Sequence, residues 1–171
     1  MSHSRIFKVQ SDLSKNFERL REEDYYDNGF LNSVGDYVSE NTDTKEDYEW
    51  LASCTMSKVY TVRFEGTVEL DEGYGDDTVS MPLAYLDIDV DKTKQYIDER
   101  LADYAEKVAE DPYFALSYEG ETMIKGDFGG FYIEEDGWGY ETLFRFLVHV
   151  VKLHKTGIVT YRLEGSLDYH M

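Results

Sequence analysis

Four acids, Glu99, Asp103, Glu106 and Glu110, recur at intervals that line side chains along one face of an α-helix. Neighbours on such a stripe rise about 4.5–6 Å along the axis, whereas a nucleic-acid duplex averages one phosphate charge per about 1.7 Å. The spacing is looser than that of DNA, but the sign is the same. A rigid array of carboxylates can therefore occupy the surface with which a basic protein holds nucleic acid. Two further acidic groups could contribute: Glu22, Glu23 and Asp24 beside Tyr25 and Tyr26, and the alternating Asp87 and Asp89. Tyrosines near acids, such as Tyr25, Tyr26, Tyr48 and Tyr74, supply the amphipathic contact area that interface centres favour.

Other chemistries fit less well. Asp87, Asp89 and Asp91 have the spacing with which a calcium loop begins, and Asp98 falls where its last ligand would. Lys92 stands where that loop needs glycine and Lys94 adds a second positive charge, so no metal site is expected there. The histidines His3, His149, His154 and His170 include no pair four residues apart, and Cys54 has no neighbour at zinc spacing. His149, in an apolar stretch, reads as a core histidine satisfied by one hydrogen bond. Asp127-Phe128-Gly129 matches the kinase tripeptide in letters only and reads as a turn. Nucleophile-elbow, Walker and dinucleotide fingerprints are absent, so no cofactor is assigned. Carboxylates are plentiful, but acid–base catalysis needs a pair whose surroundings separate their pKa values, and no catalytic residue is assigned from sequence.

Charge narrows the partners further. Against 17 Lys and Arg stand 36 Asp and Glu, a net charge of −19. Residues 1–21 hold five bases and two acids, and residues 142–171 four bases and two acids, which leaves 32 acids and 8 bases to residues 22–141. That middle region repels nucleic acid directly. One cysteine permits no internal disulfide, the start MSHSRIFKVQSDLSKNF has no apolar core of signal-peptide length, and no apolar run is long enough to span a bilayer. A cytoplasmic protein without membrane contact is expected.

The elements that must position these residues follow from hydrophobic periodicity. Strand patterns cover residues 5–9, 57–70 with an interruption at Gly66, and 79–90. Leu13, Phe17 and Leu20 have helical spacing, Asn28-Gly29 marks a turn, and short helices with outward acids are expected over residues 30–38 and 47–54. A helix over residues 92–110, with Asp91 as N-cap, would bury Ile97, Leu101, Tyr104, Ala105 and Val108. The runs YFALSY, ETMIK and GFYIEED read as antiparallel strands with tight turns. Residues 137–155 then form a helix apolar on nearly every side, with Arg145, His149 and Lys152 on one stripe. In so acidic a body, Arg145 is expected to be at least half buried and paired with an acid. An echo closes the chain: VTYRLEGSLDY (159–169) repeats YTVRFEGTVEL (60–70) with Thr, Arg, Glu and Gly in matching places.

Together these predict one α+β domain over residues 1–171. A mostly antiparallel sheet would pack against a buried C-terminal helix, about 140–155, and an acidic amphipathic helix, about 92–110. In size and charge the chain is similar, at class level only, to phage and mobile-element antirestriction and anti-CRISPR proteins. The function expected is an acidic inhibitor that mimics nucleic-acid phosphates on a basic nuclease or other nucleic-acid-binding protein. An immunity protein neutralising a basic toxin would look alike, as would an acidic domain whose charge serves solubility, or an enzyme with an unrecognised carboxylate site.

Overall fold

The C-terminal strand is the axis of the molecule, which the computed structural model describes over residues 3–27, 29–54, 58–71, 78–125, 132–135 and 139–170. β7 (Ile158–His170) is shared among three antiparallel partners: β4 (Thr78–Asp89) along Ile158–Leu163, β1 (His3–Gln10) along Arg162–His170, and β2 (Tyr37–Ser39) along Asp168–His170. β3 (Tyr60–Asp71) lies outside β4, and β5 (Tyr132–Glu135) and β6 (Gly139–Thr142) lie outside β1. The order is β3-β4-β7-β1-β5-β6, antiparallel throughout except where β5 joins β1. The fold is α+β, as the runs of strands between helices predict.

Successive residues of a strand point to opposite faces, and Ile6 and Phe7 accordingly enter different cores. Phe7 packs with Leu86, Ile88, Tyr161 and Leu163 beneath α2 (Thr44–Ser53), α3 (Val90–Glu110) and α5 (Leu143–Leu153). Ile6 packs with Leu20, Tyr25, Val38, Leu167 and Tyr169, joined by Phe30 of α1 (Phe30–Ser33). Both faces of the sheet's centre are thus covered, and β7 is buried without a break from Tyr161 to Leu167.

α5 is the innermost helix because Leu143, Phe144, Phe146, Leu147 and Val150 turn its widest face to the sheet. It is shorter than the apolar run suggests. Residues 139–142 pair with β5, and Thr142 caps the helix by accepting from the Arg145 amide. Arg145 is exposed and makes no ion pair among the described residues, which overturns the expected buried counterweight. Arg145 and Lys152 follow the solvent edge of α5, where a charge keeps its hydration, whereas His149 of the same stripe is mostly buried beside Glu135. α3 starts earlier than predicted, with Asp89 rather than Asp91 as its cap. Its buried residues are Val90, Thr93 and Ile97, whereas Leu101 and Ala105 are exposed, because the outer half leans on α4 (Tyr118–Lys125) and not on the sheet.

Several local patterns lose to tertiary context. Residues 13–20 form no helix; the Arg162 guanidinium gathers the carbonyls of Leu13, Lys15 and Asn16, and the Leu20 amide donates to Glu164 O. The segment 30–38 splits into α1 and β2, with Gly35 between them, where a Cβ would stand a tight 3.0 Å from the carbonyl oxygen of His170. α2 turns Asp47 inward, not out, to meet Arg5 and Ser166. Residues 112–125 are a 3-10 turn (Pro112–Leu116) followed by α4, so YFALSY and ETMIK are not strands. Of GFYIEED, the described residues 132–135 are the predicted strand. Tyr74, Asn28 and the Asp127-Phe128-Gly129 turn lie outside the described residues.

The sequence echo has a structural counterpart. Thr61 and Thr160 both register with Asp87, and Arg63 and Arg162 both register with Tyr85, so the matching segments flank β4 in register. Each strand gains its extra residue at the Glu-Gly step, and both glycines have positive φ, +90° at Gly66 and +119° at Gly165. Arg and Glu pair along their own strand in both copies.

Candidate functional site

α3 holds the acidic stripe clear of the fold. Thr93 and Ile97 anchor its inner face, and farther along Tyr104 meets Phe114 at 5.9 Å between ring centroids. Glu99, Asp103, Glu106 and Glu110 all lie on exposed positions of the outer face, spread over about 16 Å of axis. Asp103 faces Lys107 at 3.7 Å, and Glu99 accepts from the Gln95 amide at 2.8 Å. Glu106 and Glu110 make no ion pair or hydrogen bond among the described residues. Their carboxylates remain hydrated and available, on a rigid helix.

Most of the other predicted residues are committed to the fold, while Glu23 and Tyr26 are exposed. The Asp87 carboxylate accepts from Arg63 Nε at 2.9 Å and from Thr160 Oγ1 at 2.6 Å, which holds its pKa below the ordinary carboxylate value. Asp89 caps α3 through the Lys92 amide. Glu22, Glu23 and Asp24 belong to a 3-10 turn (Glu22–Tyr25) in which Glu22 accepts from the Tyr26 hydroxyl and Asp24 from the Arg21 amide. Tyr25 is fully buried, its hydroxyl donating to Glu134, so it supports the second core and is not a contact residue. Tyr48 is likewise buried; its hydroxyl accepts from the Gly165 amide. Tyr26 is exposed.

These groups do not converge. α3 lies over the core that contains Phe7 and Ile97, and Tyr25 lies over the core that contains Ile6, on the opposite face of the sheet. Asp87, between Leu86 and Ile88, points away from α3 as well. The cleft of about 500 Å³ beside the 3-10 turn mixes Arg19 and Arg21 with Glu23, Asp24, Glu69 and Asp71, so it presents no single sign. The stripe of α3 is left as the candidate surface.

No family model, curated protein or solved structure matches this chain. The functional argument therefore rests on geometry and charge. Among the described residues, no group of three or more His, Cys, Asp or Glu is arranged to hold a metal ion, and no helix is long and apolar enough to cross a membrane.

Two features carry chemistry that the sequence did not advertise. Burial pushes the Glu135 carboxyl above its usual range, and His149 Nε2, 3.7 Å away, opposes that shift. Glu135 and His149 line none of the clefts of about 380–500 Å³ found among the described residues. The second feature is the corner at Pro112–Tyr118, where Tyr113, Leu116 and Tyr118 are each about four-fifths exposed. Strand periodicity hid it, although Asp111-Pro112 is a turn-opening signal that could have found it.

Proposed function

We propose that this chain is an acidic inhibitor that mimics nucleic-acid phosphates and blocks the nucleic-acid-binding surface of a host-defence nuclease, of restriction or CRISPR type. The observation that carries this is the exposed stripe Glu99–Asp103–Glu106–Glu110, with one cationic neighbour, on a rigid helix of a chain with net charge −19. The lysines and arginines with which a basic partner holds phosphates can pair with such a stripe, and attraction of this kind speeds encounter and weakens with salt. An immunity protein acting on a basic toxin would use the same surface.

A second reading has its own observation. Glu22, Glu23 and Asp24 lie on the opposite side of the sheet from α3, a distribution that suits charge kept for solubility alone.

A panel of purified restriction and CRISPR nucleases, assayed by cleavage of labelled duplex DNA at 50 and 300 mM NaCl, separates the readings. Inhibition of at least one enzyme, lost at high salt, is expected. The variant E99Q/D103N/E106Q/E110Q should lose at least tenfold in potency while remaining folded. Unchanged potency would remove the stripe as the contact surface. Inhibition of a basic toxin and of no nuclease would favour the immunity reading, and inhibition of neither would leave solubility.

A further inference from the structure

The corner that joins α3 to α4 exposes three large apolar side chains together, Tyr113 and Leu116 at 78% and Tyr118 at 81%. A folding chain does not ordinarily hold aromatic and leucine side chains out in water so close together. The backbone beneath them is held by a set of turn hydrogen bonds. Asp111 accepts from the Tyr113 amide at 3.0 Å, Ser117 Oγ donates to the Phe114 carbonyl at 2.6 Å, and the Gly120 amide donates to Ser117 Oγ at 3.0 Å. Gly120 closes the corner: a Cβ there would stand 2.0 Å from the Phe114 carbonyl oxygen. Phe114 takes the inward place, against Tyr104 and beneath the Lys107 ammonium. A groove of about 410 Å³ runs beside Tyr118 between Arg100 and Lys107 of α3 and Glu119, Thr122 and Met123 of α4.

We infer that this corner is the apolar anchor of the interface whose charged part is the α3 stripe, and that its occupant is a cationic protein surface with its own apolar side chains. The inference rests on the proposed function. Charge decides the occupant. Five exposed acids, Glu106, Glu110, Asp111, Glu119 and Glu121, flank the corner in sequence and outnumber Arg100 and Lys107, the two cations that line the groove. They repel a second copy of a chain with net charge −19, and equally repel nucleic acid and anionic membranes. A basic protein is attracted, and pre-ordered tyrosines against its apolar side chains give the binding core that exposed carboxylates lack.

Two synthetic 15-residue peptides of equal positive charge test this, one alternating lysine with leucine and one alternating lysine with serine. The chain should bind the lysine–leucine peptide at least tenfold more tightly, with new hydrogen-exchange protection over residues 112–123. Y113S/L116S/Y118S should reduce that preference to under twofold and leave lysine–serine binding unchanged. E99Q/D103N/E106Q/E110Q should weaken both peptides. Equal affinity of the unaltered chain for the two peptides, an unaffected preference in the serine variant, or protection elsewhere alone would overturn the anchor. So would sedimentation as a dimer at low salt that the serine variant abolishes, since that makes the occupant a second copy. If no nuclease is inhibited yet the peptide preference depends on the corner, the nuclease assignment fails and the anchor stands. Inhibition that the serine variant keeps in full fails the anchor alone.

Discussion

Arg63 of β3 and Arg162 of β7 stand on either side of Tyr85 in one row of the sheet, each followed two residues later by the glutamate it pairs with. Their surroundings differ: the Arg63 side chain is 44% exposed, and that of Arg162 is 9% exposed against a fully buried Glu164. An exposed pair exchanges water for protein contacts at little net gain. Breaking a buried one leaves a charge without solvent. Arg63→Ala, although it also removes the bond to Asp87, should therefore cost much less than Arg162→Ala, for which about 3–5 kcal/mol is expected by urea denaturation. Equal costs would mean that Glu164 finds its compensation from Lys8 alone, 3.7 Å away.

The two bulge glycines repeat the comparison for the backbone. A Cβ at Gly66 meets open space, so Gly66→Ala carries only the strain of positive φ, about 1–2 kcal/mol. At Gly165 the added carbon would also lie 3.2 Å from both Cβ and N of Leu20. Gly165→Ala should cost at least twice as much in thermal and urea melts. A larger loss at Gly66 would show that the edge bulge, not the central one, controls the sheet.

Two carboxyls should give stability opposite pH dependences. Asp87 titrates below the ordinary carboxylate value of 3.8 because Arg63 and Thr160 hydrogen-bond the ionised form. Its contribution is present above that value and disappears as pH falls through the lower folded one. Asp87→Asn should therefore destabilise at pH 7 by about 1–2 kcal/mol and by much less at pH 3. Burial raises Glu135 above 4.5, so its contribution is present below 4.5 and is lost as pH rises through the folded value. Relative to the unaltered chain, Glu135→Gln should gain stability as pH increases from 4 to 8. Parallel pH profiles for the two variants would contradict these assignments.

The acidic stripe should be neutral or costly to the fold. Like charges three and four residues apart on a helix repel by about 0.2–0.5 kcal/mol per pair. E99Q/D103N/E106Q/E110Q removes that repulsion at the expense of the exposed Asp103–Lys107 pair. Its thermal midpoint should equal or exceed that of the unaltered chain at low salt and converge with it in 1 M NaCl. A clear loss of stability would show that these acids serve the structure.

Much of the architecture was legible because periodicity is a local property of sequence. The strands of residues 60–71 and 78–89, the kink at Gly66, the acidic helix and the buried apolar helix all follow from side-chain alternation and helical spacing. So do the α+β class and the excess of negative charge. Tertiary structure decided which face each acid serves. Asp47 and Asp87 are drawn in by Arg5 and Arg63, from strands remote in sequence, whereas Glu106 and Glu110 stay in water because no cation reaches them among the described residues. Tyr25 and Tyr113 are both tyrosines beside acids, yet one fills the second core and the other stands 78% exposed. That difference depends on what packs above each residue, a long-range contact that local spacing does not encode.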